Sequence, residues 1–199
     1  MTANISNRRI LTQNLYKGEK ILKEFKGEFP YLKSNTKYNV IIDRHKDDSK
    51  YESLLPLLRG QSQLSGLVMF QIRNAYNATP KKLDYLKQAV KYTKVANCQE
   101  CAFLIHDKLE KAGIPSQNIR LNFEQKNGFD TAKNHAFTVI GMNKNADVSN
   151  PKTWGKNAVI IDAWSNMVTR VREGIDFIKQ TFKFDPDKEN CVFSKHSNS

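Results

Sequence analysis

The spacing of apolar residues changes about halfway along the chain. Through residue 112 they recur every three or four positions, the period of amphipathic helices, and beyond it they form short β-branched and aromatic runs. The first half predicts helices over 5–29 (one, or two interrupted at Gly18), 54–58, 64–76, 79–94 and 97–112, with a short apolar run at 39–43. The second half predicts strands over 119–123, 135–142, 158–164 and 167–171, a helix over 175–182 and an edge strand at 190–193. Helices followed by strands favour an α+β fold, with an antiparallel sheet packed on the helix over 97–112.

The helix over 97–112 has clear signals at both ends. Asn97 is a good N-cap residue, and Glu100 stands three positions later, as in a capping box. Gly113 and Pro115 end the helix. Small and apolar side chains recur along it at helical spacing, namely Cys98, Cys101, Ala102, Ile105, Leu109 and Ala112. We therefore expect this central helix to bury one face along its whole length.

Length and composition indicate one ordinary globular domain. The chain has 199 residues, of which 39% are hydrophobic and 26% charged. We expect a single catalytic domain over 1–199, with a helical N-terminal part at 1–77, a core at 78–194 and a flexible tail at 195–199. The longest apolar runs fall well short of the roughly 20 residues of a membrane span. The first residues are charged without an apolar segment behind them, so a general secretory leader is not expected, although a specialised export machine stays open.

Net charge and cysteine content limit the kinds of partner and the redox compartment that we expect. The net charge of +12 favours an acidic protein or an anionic membrane surface as a partner, or it serves solubility alone. Lysine dominates and is spread along the chain, so specific nucleic-acid binding is not expected. Three cysteines cannot all pair, and Cys98 and Cys101 lie one helical turn apart. These features suit reduced thiols in a reducing compartment.

Cys98 is the candidate nucleophile. At the N-terminus of a helix, unpaired N–H groups and the helix dipole stabilise a thiolate. The alternative is a buried thiol that acts as a small hydrophobe, a description that suits Cys101 better. A Cys-x-x-Cys pair can also bind zinc or carry out redox chemistry, but zinc needs a second pair with comparable spacing, and only the isolated Cys191 and scattered histidines remain. Redox chemistry needs a βαβ context, whereas a helix precedes this motif. We therefore expect neither a metal nor a cofactor.

His135 and Asp162 are the candidate partners of this thiol. His135 opens a strand-like run, and Asp162 ends the apolar run 158–161, where burial of a carboxylate demands a partner. An imidazole N–H is such a partner, and the pairing would fix the histidine tautomer. The alternatives are a structural histidine and an aspartate that caps a turn. His106 lies eight residues along the helix from Cys98, about 12 Å away, too far to serve as the base.

Three motifs stand out between residues 95 and 171, namely Asn-Cys-x-Glu-x-Ala, Asn-His-Ala-Phe-x-Val-Ile-Gly and Val-Ile-Ile-Asp-Ala-Trp. Together they resemble the papain-like and transglutaminase-like superfamily of bacterial cysteine enzymes. This resemblance implies a Cys98–His135–Asp162 triad, an oxyanion hole that uses the backbone N–H of Cys98, and Asn97 and Trp164 as candidates near the site. The chain departs from the usual family pattern in having Ala96 before Asn-Cys and Ala163 between Asp and Trp.

The resemblance is nearest to effector toxins that deamidate or transamidate glutamine, and next to effector cysteine proteases. It implies a host protein as substrate and delivery into the host cytosol by a specialised secretion system. We therefore expect a cysteine acyl-transfer enzyme acting on glutamine. Two alternatives stay open besides the protease: a non-catalytic basic module that docks an acidic partner, and a zinc-stabilised structural protein.

Overall fold

The computed structural model describes residues 2–127 and 130–196, with side chains over 7–127 and 133–196. Helices and a single antiparallel sheet make up a mixed architecture, so the predicted α+β class is confirmed. The chain divides into two compact units. The helical unit is Gly27–Glu100, and the sheet unit contains the described residues up to Lys26 and from Cys101 onward. These limits differ from the predicted boundary at residue 78, while the prediction of one catalytic domain stays a prediction.

Three helices make up most of the helical unit. They are α2 (Asn35–His45), α3 (Leu55–Ala78) and α4 (Lys82–Thr93), and α3 packs against both of the others. The side chain of Ser34 caps α2 by accepting from the N–H of Lys37 at 3.2 Å. After α4 the chain turns at Lys94, whose φ of +58° is left-handed, and the N–H of Lys33 donates to its carbonyl. The unit ends with the first turn of α5 (Cys98–Lys111).

The helix predictions for this unit need correction. The apolar run over 39–43 belongs to α2, and the two pieces predicted at 54–58 and 64–76 are one continuous helix, α3. Gly60 and Ser62, which stand between the two predicted pieces, lie inside this helix. Ser62 is buried, with its hydroxyl 2.6 Å from Asn39 Oδ1, so tertiary contacts with α2 compensate for its weak helix preference.

The sheet unit is built on five antiparallel strands in the order β4-β3-β2-β1-β5. Their bounds are β1 Ser116–Gln125, β2 Asp130–Ile140, β3 Val159–Asp162, β4 Met167–Arg170 and β5 Glu189–Lys195. All five strands were predicted, although β1 and β2 begin earlier than expected. The predicted edge strand is β5, which pairs with β1. The predicted tail at 195–199 is corrected in part, because Lys195 belongs to β5 and the His196 ring stacks on Phe103; residues 197–199 lie outside the described part.

Helices cover both faces of this sheet. A Cβ at Gly18, in α1 (Thr2–Glu28), would lie 2.8 Å from Val168 and 3.2 Å from Ile161. A Cβ at Gly174, in α6 (Val171–Thr181), would lie 2.9 Å from Ile160. Because successive strand residues point to opposite faces, α1 and α6 pack on opposite sides of β3.

Helix α1 is continuous at Gly18, where an interruption was considered. Because glycine has no side chain, α1 packs closely on the sheet at this position. The sheet-unit part of α5 lies on the same face as α1. Thr138, which pairs with Ile161 across the strands, has its hydroxyl 3.1 Å from the carbonyl of Ala102. The central helix is confirmed, with Cys98, Cys101, Ala102, Ile105 and Leu109 buried, whereas Ala112 is exposed beyond its end.

Within residues 2–127 and 130–196, no helix has the length and apolar character needed to cross a membrane.

Candidate active site

Strand pairing brings His135 and Asp162 together. In the β2–β3 ladder Thr138 faces Ile161, which places His135 and Asp162 diagonally on the same face of the sheet, the face covered by α6. The two side chains are almost completely buried, and His135 Nε2 lies 2.7 Å from Asp162 Oδ2. The predicted contact between these two residues is therefore present.

Asp162 is held as a carboxylate by its neighbours. Burial alone would favour the neutral acid, but the charge and hydrogen bond of His135 and the bonds from Ser165 outweigh it and lower the pKa of Asp162 below its usual value. The backbone N–H of Ser165 donates to Asp162 Oδ1 at 3.0 Å. Asp162 thus orients the imidazole with one oxygen and caps the turn after β3 with the other. Both contacts that the sequence suggested for Asp162, with an imidazole and with the following turn, are present.

Aromatic rings enclose the imidazole. The ring of Trp164 approaches that of His135 edge-on with the centroids 5.1 Å apart, and Phe182, at the end of α6, lies 5.4 Å from it. Trp164 and Phe182 also stack on each other. Trp164 is therefore adjacent to His135, as the sequence suggested. Phe182 was not anticipated, because its proximity depends on how α6 packs on the sheet.

Cys98 is the first residue of α5 and belongs to the helical unit, whereas His135 and Asp162 belong to the sheet unit. Its side chain is 6% exposed. Cys98 is thus buried together with the rest of the apolar face that was expected for this helix. Cys101 is buried one turn further along, and Cys191 lies partly exposed on β5.

The residues around the start of α5 form a polar network. Glu100, itself buried, accepts the backbone N–H of Asn97 at 3.1 Å, which is one half of the predicted capping box. The other half would be a bond from the Asn97 side chain to the backbone of α5. Instead, Asn97 Oδ1 accepts from Ser34 Oγ at 2.7 Å, and its Nδ2 donates to Asn35 Oδ1 at 2.8 Å. Asn97 is thus engaged in holding two segments of the helical unit together, and its oxyanion role stays a prediction.

Arg73 of α3 neutralises Glu100. Its Nε and Nη2 donate to the two carboxylate oxygens at 2.8 Å and 3.2 Å, a bidentate pair. Burial opposes the guanidinium charge, but the bond and charge of Glu100, with a smaller effect from Cys98, raise the pKa of Arg73. A bare carboxylate two residues from Cys98 would repel a thiolate, so this pairing removes an unfavourable charge. The sequence offered no signal for Arg73.

The remaining histidines and cysteines have other surroundings. His106 Nδ1 lies 2.6 Å from Ser116 Oγ, which ties α5 to the start of β1, and His45 stacks on Tyr51. Burial raises the pKa of the Cys191 thiol. In the part of the chain that the structure describes, no cluster of three or more His, Cys, Asp or Glu side chains is arranged to bind a metal ion.

No protein-family model matches the chain, and searches of curated proteins and of solved structures gave no match. The likeness to papain-like and transglutaminase-like enzymes therefore rests on the three motifs alone.

Proposed function

We propose that the protein is a cysteine-dependent acyl-transfer enzyme in which Cys98, His135 and Asp162 act together. The observation that carries the proposal is the buried imidazole–carboxylate pair, with 2.7 Å between Nε2 and Oδ2. Removing two titratable groups from water costs several kcal/mol for each, so such a pair is a weak stabilising device. It is, in contrast, the common means of orienting a catalytic imidazole.

The chemistry follows from the two ring nitrogens. Because Nε2 bonds to Asp162, the imidazole exchanges protons with a substrate through Nδ1. In the proposed reaction the Cys98 thiolate attacks a carboxamide carbon, the C–N bond breaks, and Nδ1–H of the imidazolium protonates the departing amine. The resulting thioester is resolved by water, with His135 as base, or by an amine. Asp162 stabilises the imidazolium throughout.

The substrate we favour is a glutamine side chain of a host protein. The resemblance to effector deamidases and transglutaminases supports this choice, and the net charge of +12 suits an acidic target. Water then yields glutamate and ammonia, whereas a lysine yields an isopeptide bond. The same resemblance supports delivery into a host cell by a specialised secretion system.

The proposal makes one geometrical demand, that Cys98 Sγ meets His135 Nδ1. The two atoms belong to different compact units, so this contact is a requirement to be tested. His135 points to the α6 face of the sheet, and Thr138 contacts Ala102 of α5 on the other face.

Rates of thiol alkylation test the nucleophile without knowledge of the substrate. With iodoacetamide at neutral pH, Cys98 should react at least about tenfold faster than Cys101 or Cys191, although Cys191 is the more exposed thiol. Peptide mass spectrometry gives the rate for each cysteine. His135→Ala should slow alkylation of Cys98 and leave Cys191 unchanged. Equal rates at the three thiols would reject the proposal.

Product analysis separates the three possible reactions. Dimethylcasein, with and without a fluorescent primary amine, provides accessible glutamines as a general substrate. Mass spectrometry distinguishes glutamate formation, amine incorporation and chain cleavage. Cys98→Ala should abolish whichever reaction occurs, Asp162→Asn should slow it by about ten-thousandfold, and Cys191→Ala should leave it unchanged.

A non-catalytic binding module is the second candidate. The observation that favours it is the excess of 32 Lys and Arg over 20 Asp and Glu, which needs no active site. In that case His135 and Asp162 are a structural pair. Equal alkylation rates together with full binding of an acidic partner by Cys98→Ala would support this candidate.

A further inference from the structure

The helical unit has an apolar surface that the described residues leave exposed. Four side chains of α3 and one of α4 are each between 61% and 91% exposed, namely Leu57, Leu64, Leu67, Phe70 and Tyr92. Isolated apolar residues are normal on a surface, but a contiguous apolar patch marks an interaction site. Three of them, Leu57, Leu64 and Leu67, fall on one side of α3 at spacings of seven and three residues.

A groove between α3 and α4 continues this surface. It has a volume of about 920 Å³ and is lined on the α3 side by Leu67, Val68 and Ile72. Tyr85, Ala89 and Tyr92 line the α4 side. From Leu57 to the end of the groove at Ile72 the surface follows about four turns of α3, roughly 22 Å at 1.5 Å per residue. These dimensions suit one short helix lying lengthwise.

The charge around the groove is strongly one-sided. Between residues 53 and 97 the sequence has seven Lys and Arg, and Asp84 is its one acidic residue. Two of the cations are paired, Arg73 with Glu100 and Lys87 with Glu28. Among the described residues, Arg59, Lys81, Lys91 and Lys94 have no ion-pair partner, and Lys91 lines the groove itself.

We infer that this groove docks an acidic amphipathic helix of a partner protein. Leu-type side chains at positions i, i+3 or i+4 and i+7 of that helix fill the groove, and its Asp and Glu face the lysines of α4. A second copy of the chain fits less well, because it carries the same cations and a net charge of +12. A membrane fits less well too, because the surface is a concave groove, whereas a helix lying on a bilayer presents a convex apolar face. The inference does not depend on the chemistry of Cys98.

A displayed library of 16-residue helical peptides, randomised at every position, tests the inference with the full-length protein as bait. Enriched peptides should show apolar residues at helical spacing and an excess of Asp and Glu. Their affinity, measured by fluorescence anisotropy, should fall at least about tenfold for the double variant Leu67→Ser/Lys91→Glu. Raising the salt concentration from about 0.1 M to about 1 M should weaken binding, because the ionic contacts are exposed.

The matched control is Tyr16→Ser/Lys20→Glu, which removes an exposed apolar side chain and a lysine from α1. It should bind the enriched peptides as the native chain does. Both variants change exposed positions, and circular dichroism melts should show that both remain folded.

Three results would overturn the inference. The first is a library that yields no enriched peptide, or peptides that bind the Leu67→Ser/Lys91→Glu variant equally well. The second is groove-dependent binding to vesicles of roughly 3:1 phosphatidylcholine and phosphatidylserine in the absence of peptide binding, which would assign the surface to a membrane. The third is a dimer in sedimentation experiments that the same variant abolishes.

Discussion

A buried carboxylate stays ionised only where neighbouring groups compensate its charge, and Asp162 has two such neighbours. His135 compensates one oxygen and the backbone of Ser165 the other. These contacts keep the pKa of Asp162 low in the folded protein despite burial. The same arrangement that would orient a catalytic imidazole therefore also links unfolding to proton uptake.

Acid should consequently destabilise the protein through Asp162. The unfolded chain binds this proton near the ordinary pKa of about 4, whereas the folded protein binds it at lower pH. The stabilisation from Asp162 is thus complete above about pH 4 and is lost as the pH falls through its folded pKa. Urea unfolding at a series of pH values measures this loss.

The variant Asp162→Asn should be less stable at neutral pH and should show a flatter decline in unfolding free energy below about pH 4. Asp84→Asn, at an exposed position of α4, is the control and should keep the native slope. An Asp162→Asn protein with the native slope would show that other carboxyls govern acid unfolding.

Among the elements, the helices show where sequence patterns succeed and where they fail. The boundaries of α5 were predictable because the capping residue Glu100 and the terminal Gly113 act locally. The continuity of α1 and α3 was not, because Gly18 and Ser62 are tolerated only through contacts made after folding. Local signals mark the ends of helices, and tertiary packing decides whether a weak position inside one matters.

Two glycines in helices should therefore respond oppositely to alanine. No described atom beyond the helix backbone lies within 4 Å of a Cβ at Gly60, so Gly60→Ala should stabilise the protein by about 0.5–1 kcal/mol through the unfolded chain. At Gly18 a Cβ would lie 2.8 Å from Val168, and the crowding should cancel or reverse this gain. Denaturant unfolding should rank Gly60→Ala above the native chain and Gly18→Ala at or below it. Equal stabilisation by both would mean that α1 does not pack closely on β4.

The pairing of α3 with the start of α5 is also testable. Arg73→Ala should leave Glu100 buried without its ionic partner, at a cost of about 2 kcal/mol, less than for a fully buried pair because the Arg73 side chain is 45% exposed. Arg59→Ala removes an exposed arginine from the same helix and should change the unfolding free energy by less than about 0.5 kcal/mol. A cost for Arg73→Ala no larger than that for Arg59→Ala would remove the pair from the interactions that hold the helical unit together.

For the molecule as a whole, sequence motifs predicted the parts of the site but not their surroundings. The contact between His135 and Asp162 was predictable because a buried strand-end carboxylate needs a cation or an N–H donor. Neither Phe182 beside the imidazole nor Arg73 opposite Glu100 was predictable, since each comes from an element remote in sequence. Cys98 and His135 belong to different compact units, so the proposed triad needs residues from both units.

A short bifunctional reagent tests directly whether Cys98 and His135 come together. 1,3-Dibromoacetone alkylates a thiolate and then any nucleophile within about 5 Å, the reach of its three-carbon bridge. If the proposed triad forms, the native chain should give a cross-link between Cys98 Sγ and His135 Nδ1, identified by tandem mass spectrometry.

The variant Asp162→Asn should give less of this cross-link, because the His135 ring loses its orienting bond. Cys98→Ala should give no cross-link to His135, because the thiolate that starts the reaction is then missing. Modification of Cys98 without attachment to His135, in a protein that remains folded, would exclude a working triad.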